Sequence, residues 1–183
     1  PKYELVATLA PTGGALAQAV EVRRYDARSV AACDMATGAD GQLLGSAAGG
    51  AGFNALASYL FGENDRDASM AMTAPVEIRV GGASAGASMA FALPAAEASA
   101  AGGPPRPRDG ASVRVEEVPE RLVAALPFAG VATDAEVERQ RAKLEAALAA
   151  DGGYAMADEG AFSVLQYNAP YTIPWRRRNE LAV

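Results

Sequence analysis

The sequence predicts an α+β fold in which one strand–helix–strand unit occurs twice. Two stretches share a pattern of apolar residues and one arginine at identical spacing: Val20–Tyr25, Arg28 and Val30–Ala32 in the first copy, and Val113–Val118, Arg121 and Val123–Ala125 in the second. A helical stretch and further strands follow each copy. This duplication predicts a single pseudo-twofold-symmetric domain with a groove where its halves meet, and ligands favour such concavities.

The first half begins after a poorly patterned lead-in, residues 1–19. Residues 20–35 are predicted to form two strands that turn near Asp26, because apolar and polar residues alternate there. A helix is predicted from about Ala51 to Phe61, where apolar residues recur at helical spacing and Gly62 offers a natural C-terminal cap. Strands at 76–80 and 89–94, joined by a hairpin loop at 81–86, complete this half, and residues 95–110 are interpreted as a linker.

The second half repeats the plan. Two strands are predicted over 113–128, and Thr133 with Glu136 forms a capping-box pattern at the start of a helix that ends before Gly152. A strand at 162–167 and a short closing strand at 180–183 follow. The predicted organisation is therefore a lead-in at 1–19 and one domain at 20–183.

Composition excludes several classes of function. At 183 residues the chain has the size of one domain. A net charge of −6 disfavours a nucleic-acid partner, because phosphates require a basic face. No apolar run approaches the roughly 20 residues of a membrane-spanning segment. The single cysteine, Cys33, favours an intracellular, reducing compartment, since no disulfide can form within the chain. This compartment is expected to be the cytoplasm or an organelle such as a plastid, because the chain begins with proline and is interpreted as processed.

The absence of histidine is the most restrictive observation. It removes the commonest general base, zinc ligand and haem axial ligand. No Ser-His-Asp or Cys-His arrangement exists, and one cysteine cannot form a zinc site. The sequence therefore predicts neither catalytic residues nor a metal site.

Four segments together resemble the SOUL haem-binding family. Their residues, in chain order, are Val20–Tyr25; Tyr59–Asn64 with Met72–Val76; Phe91–Pro94 with Pro104–Pro107; and Tyr167–Pro170 with Arg177–Glu180. The resemblance implies a twisted antiparallel sheet of about eight strands, curled into a distorted barrel. It also implies two helices related by a pseudo-twofold axis.

The resemblance further implies that the chain binds haem or a related tetrapyrrole in an apolar groove, as a non-catalytic carrier or buffer. The implied groove is lined by one helix face and an opposing loop with a neighbouring cation: Phe53, Leu56, Ala57, Leu60, Phe61, Tyr171, Ile173, Trp175 and Arg176. Family members carry basic residues where this chain has Gly50, Ser58 and Ile173. No axial histidine is available.

Two alternatives remain. Trp175 beside Arg176–Arg178 has the composition of an interaction hot spot, which suits a protein-interaction or scaffold module that has lost haem binding. An enzyme acting on a tetrapyrrole or another apolar molecule would need Glu63, Glu77 or Glu180 as its base.

Overall fold

Nine antiparallel strands form one sheet in the computed structural model, which describes residues 1–10, 18–35, 46–81 and 86–183. The strands are β1 (Tyr3–Leu9), β2 (Val20–Tyr25), β3 (Arg28–Met35), β4 (Val76–Val80), β5 (Ala87–Ala92), β6 (Val113–Val118), β7 (Arg121–Ala129), β8 (Phe162–Gln166) and β9 (Arg178–Ala182). Their order across the sheet is β1-β2-β7-β9-β8-β4-β5-β3-β6. The helices are α1 (Ser46–Leu60), α2 (Ala95–Ala98) and α3 (Asp134–Asp151), with a 3₁₀ turn at Pro174–Arg176.

The predicted α+β class and antiparallel sheet are confirmed, but the predicted closure into a barrel is wrong. Within the described residues β1 pairs only with β2, and β6 pairs only with β3, so the sheet stays open. The edge strand β6 carries Arg114, Glu116 and Glu117, and charged side chains at an edge oppose further pairing.

Several boundaries differ from the sequence-based expectations. Residues 3–9 of the lead-in form β1, which pairs with β2. The first helix begins at Ser46 rather than Ala51. The predicted linker contains a short helix, α2, in addition to the two helices that were predicted. Parts of the lead-in, of the small-residue stretch before α1 and of the first hairpin loop lie outside the described residues. The division of the chain at residue 19 stays a prediction.

One face of the sheet carries the apolar core. α1 packs on β3 and β5, and α3 packs on β7 and β9. Leu56 and Leu60 of α1 are fully buried in this core, with Leu144 of α3. Gly52 favours the close approach of α1, because a Cβ there would lie 3.2 Å from the Cys33 sulfur, which is tighter than ordinary van der Waals contact. No helix in the described ranges has both the length and the apolar character needed to span a bilayer.

The predicted start of α3 at Thr133 is confirmed, but only half of the predicted capping box forms, because the Glu136 carboxylate accepts from Arg139 and Gln140 and the Thr133 N–H donates to the Val131 carbonyl. The Thr133 side chain accepts a hydrogen bond from the Glu136 N–H at 3.2 Å. Gly152 ends the helix at φ +70°, and its N–H donates to the Leu148 carbonyl at 3.0 Å. Glycine adopts this left-handed conformation without the steric cost that other residues meet.

The opposite face of the sheet is held by buried ion pairs. Arg23 on β2 donates two hydrogen bonds to the Glu180 carboxylate on β9, at 2.7 and 3.1 Å, and both residues are almost completely buried. Arg178 and Tyr167 donate to the same carboxylate at 2.6 and 2.7 Å. Burial alone would raise the pKa of Glu180, but these hydrogen bonds, led by that from Arg23, hold it below its usual range.

Leu56→Ala is expected to lower the free energy of unfolding by about 2–5 kcal/mol, because a fully buried leucine would leave a cavity. Urea denaturation measures this change. Leu5→Ala, at an exposed position of β1, is the matched control and should change stability by less than about 0.5 kcal/mol. Equal losses in both variants would contradict the assignment of Leu56 to the core.

Glu180→Gln is expected to destabilise the fold by about 3 kcal/mol at pH 7, because it removes the buried carboxylate from the buried Arg23 and leaves the part-exposed Glu21 as its remaining ion-pair partner. The folded pKa of Glu180 lies below its unfolded value of about 4.3, so the ionised carboxylate stabilises the fold above that pH. This contribution decreases as pH falls. The difference in free energy of unfolding between wild type and variant should therefore become smaller below about pH 4. Urea unfolding at several pH values tests this, with the exposed Glu138→Gln as control; a difference that widens in acid contradicts it.

Candidate functional site

The five predicted helix residues divide between the core and the surface. Leu56 and Leu60 are fully buried beneath α1, so their side chains offer no surface to a ligand. Phe53 and Ala57 are half-buried, and the Phe53 ring lies 5.5 Å from the ring of Phe91 in the core. Phe61, just beyond the helix, is 61% exposed. Of the five, the residue most available to a ligand is therefore Phe61, which follows the last residue of the helix.

The predicted loop residues are all at the surface. Tyr171 is 90% exposed and Trp175 is 75% exposed, and Ile173 and Arg176 are also exposed. They lie in the loop that joins β8 to β9, which we call the aromatic loop (residues 167–177). Large exposed apolar side chains grouped in one segment are typical of binding surfaces.

Hydrogen bonds hold the backbone of the aromatic loop. The Arg177 guanidinium donates to the carbonyls of Thr172, at 2.7 Å, and Pro170. The Thr172 N–H donates to the Ala169 carbonyl at 2.9 Å, and the Arg178 N–H donates to the Asn168 side chain at 2.7 Å. The loop therefore presents its aromatic side chains from an ordered backbone.

The helix end and the aromatic loop lie at the same end of the sheet. Val76, the first residue of β4, pairs with Gln166, the last residue of β8. The segment that leads from α1 into β4 therefore leaves the sheet beside the aromatic loop. The Met70 N–H donates to the Leu60 carbonyl at 2.7 Å, which ties this segment to the end of α1.

A cavity of about 840 Å³ lies at the other end of the sheet, where β4 ends and β8 begins. Its lining combines arginines with apolar residues, among them Arg79, Arg114, Arg121, Leu122, Val123 and Phe162. The sequence analysis did not identify this cavity. One lining residue, Arg121, did stand out in the sequence, because it occupies the position in the second copy of the duplicated pattern that Arg28 occupies in the first.

Arg28 and Arg121 both reach Glu77 on β4. Arg121 donates to the Glu77 carboxylate at 3.1 Å, and Arg28 approaches it to 3.8 Å. Arg79 and Ser163 donate to the same carboxylate at 3.2 and 3.0 Å. Burial would raise the pKa of Glu77, but Arg79, Arg121 and Arg28 together hold it below its usual range.

Glu77 and Glu180 therefore act as partners of arginines. Their oxygens are already occupied by donors, and their depressed pKa values oppose proton uptake. Neither group has the properties of a general base that waits for a substrate proton. Glu63 is exposed and distinct from both networks.

The side chains that could ligate iron are few. The Cys33 thiol is buried, its hydrogen bond goes to the Gly52 carbonyl at 3.4 Å, and burial raises its pKa. Met72 and Tyr171 carry exposed donor atoms. Within the described ranges no three histidine, cysteine or carboxylate side chains are grouped as metal ligands.

The fold is similar to solved structures of low sequence identity. The crystal structure of the EcmrR C-terminal domain aligns with a TM-score of 0.60 and 7% identity, over 89% of this chain and 94% of that one. The EcmrR chain in the EcmrR–DNA complex aligns with a TM-score of 0.61 and 7% identity, over 89% of this chain and 55% of that one, so this chain spans about half its length. An uncharacterized conserved protein from Listeria innocua aligns at 0.55 and 10% identity, over 88% and 90%. These likenesses concern the fold alone.

Comparison with curated proteins gives no match. A family model, by contrast, matches from the first residue to the last. That match includes β1, which the sequence analysis had set apart as a lead-in. The model is that of the SOUL heme-binding protein, it covers residues 1–183, and the chain therefore belongs to this family.

Proposed function

We propose that the chain binds haem or a related tetrapyrrole without catalysis, as a carrier or buffer, at the end of the sheet that carries the aromatic loop. The observation that supports this most directly is the exposure of Tyr171 and Trp175 on a loop whose backbone is held by Arg177. An ordered loop loses little conformational entropy when a ligand binds. Family membership supplies the class of ligand.

The residues of this surface suit the macrocycle. A porphyrin has two large apolar faces, and Phe61, Ile173 and Trp175 offer apolar area that binding would remove from water. Its carboxylates need a cation. Arg177 and Arg178 are engaged in the loop and with Glu180, whereas the exposed Arg176 has no side-chain partner among the described residues.

Binding by this surface depends on apolar contact and charge pairing. Bound haem would supply redox and ligand-binding chemistry at its iron. The chain's own contribution is to cover the macrocycle and to pair with its carboxylates, since it has no histidine to coordinate the metal. The role that follows is sequestration and transfer of the tetrapyrrole.

A protein-interaction module is the second candidate. Trp175 and Arg176 are exposed side by side, and these residue types dominate the energetics of protein interfaces. A stoichiometric partner complex that Trp175→Ala abolishes, in a chain that binds no tetrapyrrole, would favour this role.

We also propose that internal duplication produced the sheet. When β2, β3, β4 and β5 are exchanged with β6, β7, β8 and β9, the order of these eight strands becomes its own reverse. The convergence of Arg28 and Arg121 on Glu77 agrees with this origin. We retain an intracellular location, in the cytoplasm or in an organelle such as a plastid, as a proposal that rests on the single buried thiol.

Titration with hemin, protoporphyrin IX and a chlorophyll derivative is expected to give a saturable change in the Soret spectrum at micromolar ligand for at least one of them. Trp175→Ala should weaken that binding about 10- to 100-fold, because burial of a large aromatic side chain contributes about 1.5–3 kcal/mol. Arg176→Gln should weaken the binding of dicarboxylate ligands and leave the binding of their diesters unchanged.

Leu5→Ala and Arg24→Gln are the matched controls, because both residues are exposed and lie toward the cavity end of the sheet, where Arg24 pairs with Leu122. Both should retain wild-type affinity. If no tetrapyrrole gives a saturable spectral change, the carrier proposal fails. If binding is intact in Trp175→Ala, the ligand site lies elsewhere.

A further inference from the structure

We propose that the cavity at the opposite end of the sheet is a second ligand site, which binds amphipathic organic anions with an apolar body and one carboxylate or sulfonate. This inference is independent of the tetrapyrrole proposal. The cavity volume of about 840 Å³ falls in the range of small-molecule sites, roughly 300–1,000 Å³. Both apolar and cationic residues line it.

Arginines outnumber acidic residues, three to two, in the lining of the cavity. Four guanidinium groups share three carboxylates through direct ion pairs: Arg28, Arg79, Arg114 and Arg121 with Glu77, Glu116 and Asp34. Arg79, Arg114 and Arg121 line the cavity, against Asp34 and Asp158 as its acidic residues. Asp34 is already paired with Arg114 at 2.7 Å. The excess charge favours an anionic guest.

Arg121 is the arginine best placed to meet the anion. Its side chain is partly exposed, and Glu77 is its only ion-pair partner in the described part of the chain. Its buried Nε, like that of Arg79, has no hydrogen-bond partner among the described residues. A buried donor without a partner is costly, and an anion that draws the guanidinium toward the cavity would relieve this cost. Glu77 would keep Arg79 and Ser163 as donors.

The same network opposes the binding of a cationic guest. Glu77 is the buried carboxylate of this region, and four donor side chains surround it. A lipophilic cation would find Glu77 and Asp34 already paired with arginines and would meet three guanidinium groups, and the exposed Asp158 is the lining carboxylate without an ion-pair partner among the described residues. The site should therefore distinguish ligands of equal size by the sign of their charge.

Apolar side chains beside the arginines would hold the ligand body. Leu122 lines the same cavity and is 50% exposed, although its side chain leaves β7 on the face opposite to that of Arg121. Val123, Met156 and Phe162 extend the apolar lining. A cation next to an open apolar wall matches an amphipathic molecule whose charged group is at one end.

The test compares an anionic, a neutral and a cationic fluorescent aromatic probe, of which the first two share the anilinonaphthalene ring system. The anionic 8-anilinonaphthalene-1-sulfonate should bind saturably with one site that depends on Arg121. The neutral N-phenyl-1-naphthylamine, which lacks the sulfonate, should bind there at least about tenfold more weakly, since a charge-assisted hydrogen bond is lost. The cationic rhodamine 6G should not compete for the site.

Variants locate the site. Arg121→Gln should weaken anilinonaphthalenesulfonate binding about tenfold, Arg121→Lys should restore most of it, and Leu122→Glu should abolish it. The matched controls are Arg139→Gln, at an exposed position of α3, and Val131→Glu. Val131 is apolar, is about as exposed as Leu122 and lies near the end of the sheet opposite the cavity. Thermal unfolding of every variant confirms that it is folded under the conditions of binding.

Unchanged affinity in both Arg121→Gln and Leu122→Glu, with folding intact, would overturn the proposal. Loss of the probe in Trp175→Ala alone would also overturn it, because the probe would then occupy the aromatic loop. Hemin titration of the same variants separates the two sites. A cavity that fails to bind the anionic probe leaves tetrapyrrole binding unaffected, and the reverse result leaves the cavity site in place.

Discussion

The sheet has two faces, and its two long helices pack on only one of them. In the described part of the chain no long helix covers the other face, which is therefore shielded from water by the side chains of the strands themselves. Glu77 on β4 is the centre of this arrangement, because Arg121 from β7 and Arg28 from β3 both approach it. In a flat sheet three strand spacings, about 14 Å, would separate β7 from β4. A side-chain contact of 3.1 Å between these strands agrees with a sheet that curls around the carboxylate.

This curvature gives the two ends of the sheet different chemistry. At one end the β8–β9 connection extends beyond the strands and exposes Tyr171 and Trp175. At the other end β4 stops at Val80 opposite Phe162, and the curled strands leave a cavity beside Arg79 and Arg121. The first surface suits a large flat guest that contacts aromatic rings. The second suits a smaller guest that enters between strands.

Local patterns in the sequence were sufficient to predict most strands, the start of α3 at Thr133 and the class of fold. The periodicity of α1 showed that Leu56 and Leu60 share a face, but periodicity does not say what covers that face, and here it is the sheet. The networks of Glu77 and Glu180 could not be predicted, because an acidic residue in an alternating strand has the same pattern whether water or arginine faces it. The Arg23–Glu180 pair joins residues 157 positions apart.

The buried networks also bear on the aromatic loop, since Arg178 belongs to both. Its backbone N–H donates to Asn168 at the start of the loop, and its guanidinium donates to Glu180 at 2.6 Å and lies 4.6 Å from the centre of the Tyr167 ring. Tyr167 donates to Glu180 as well. Both ends of the loop are thus fixed to one buried carboxylate. Because the loop backbone is fixed in this way, its aromatic side chains stay exposed. Binding a rigid, flat ligand there would cost little conformational entropy.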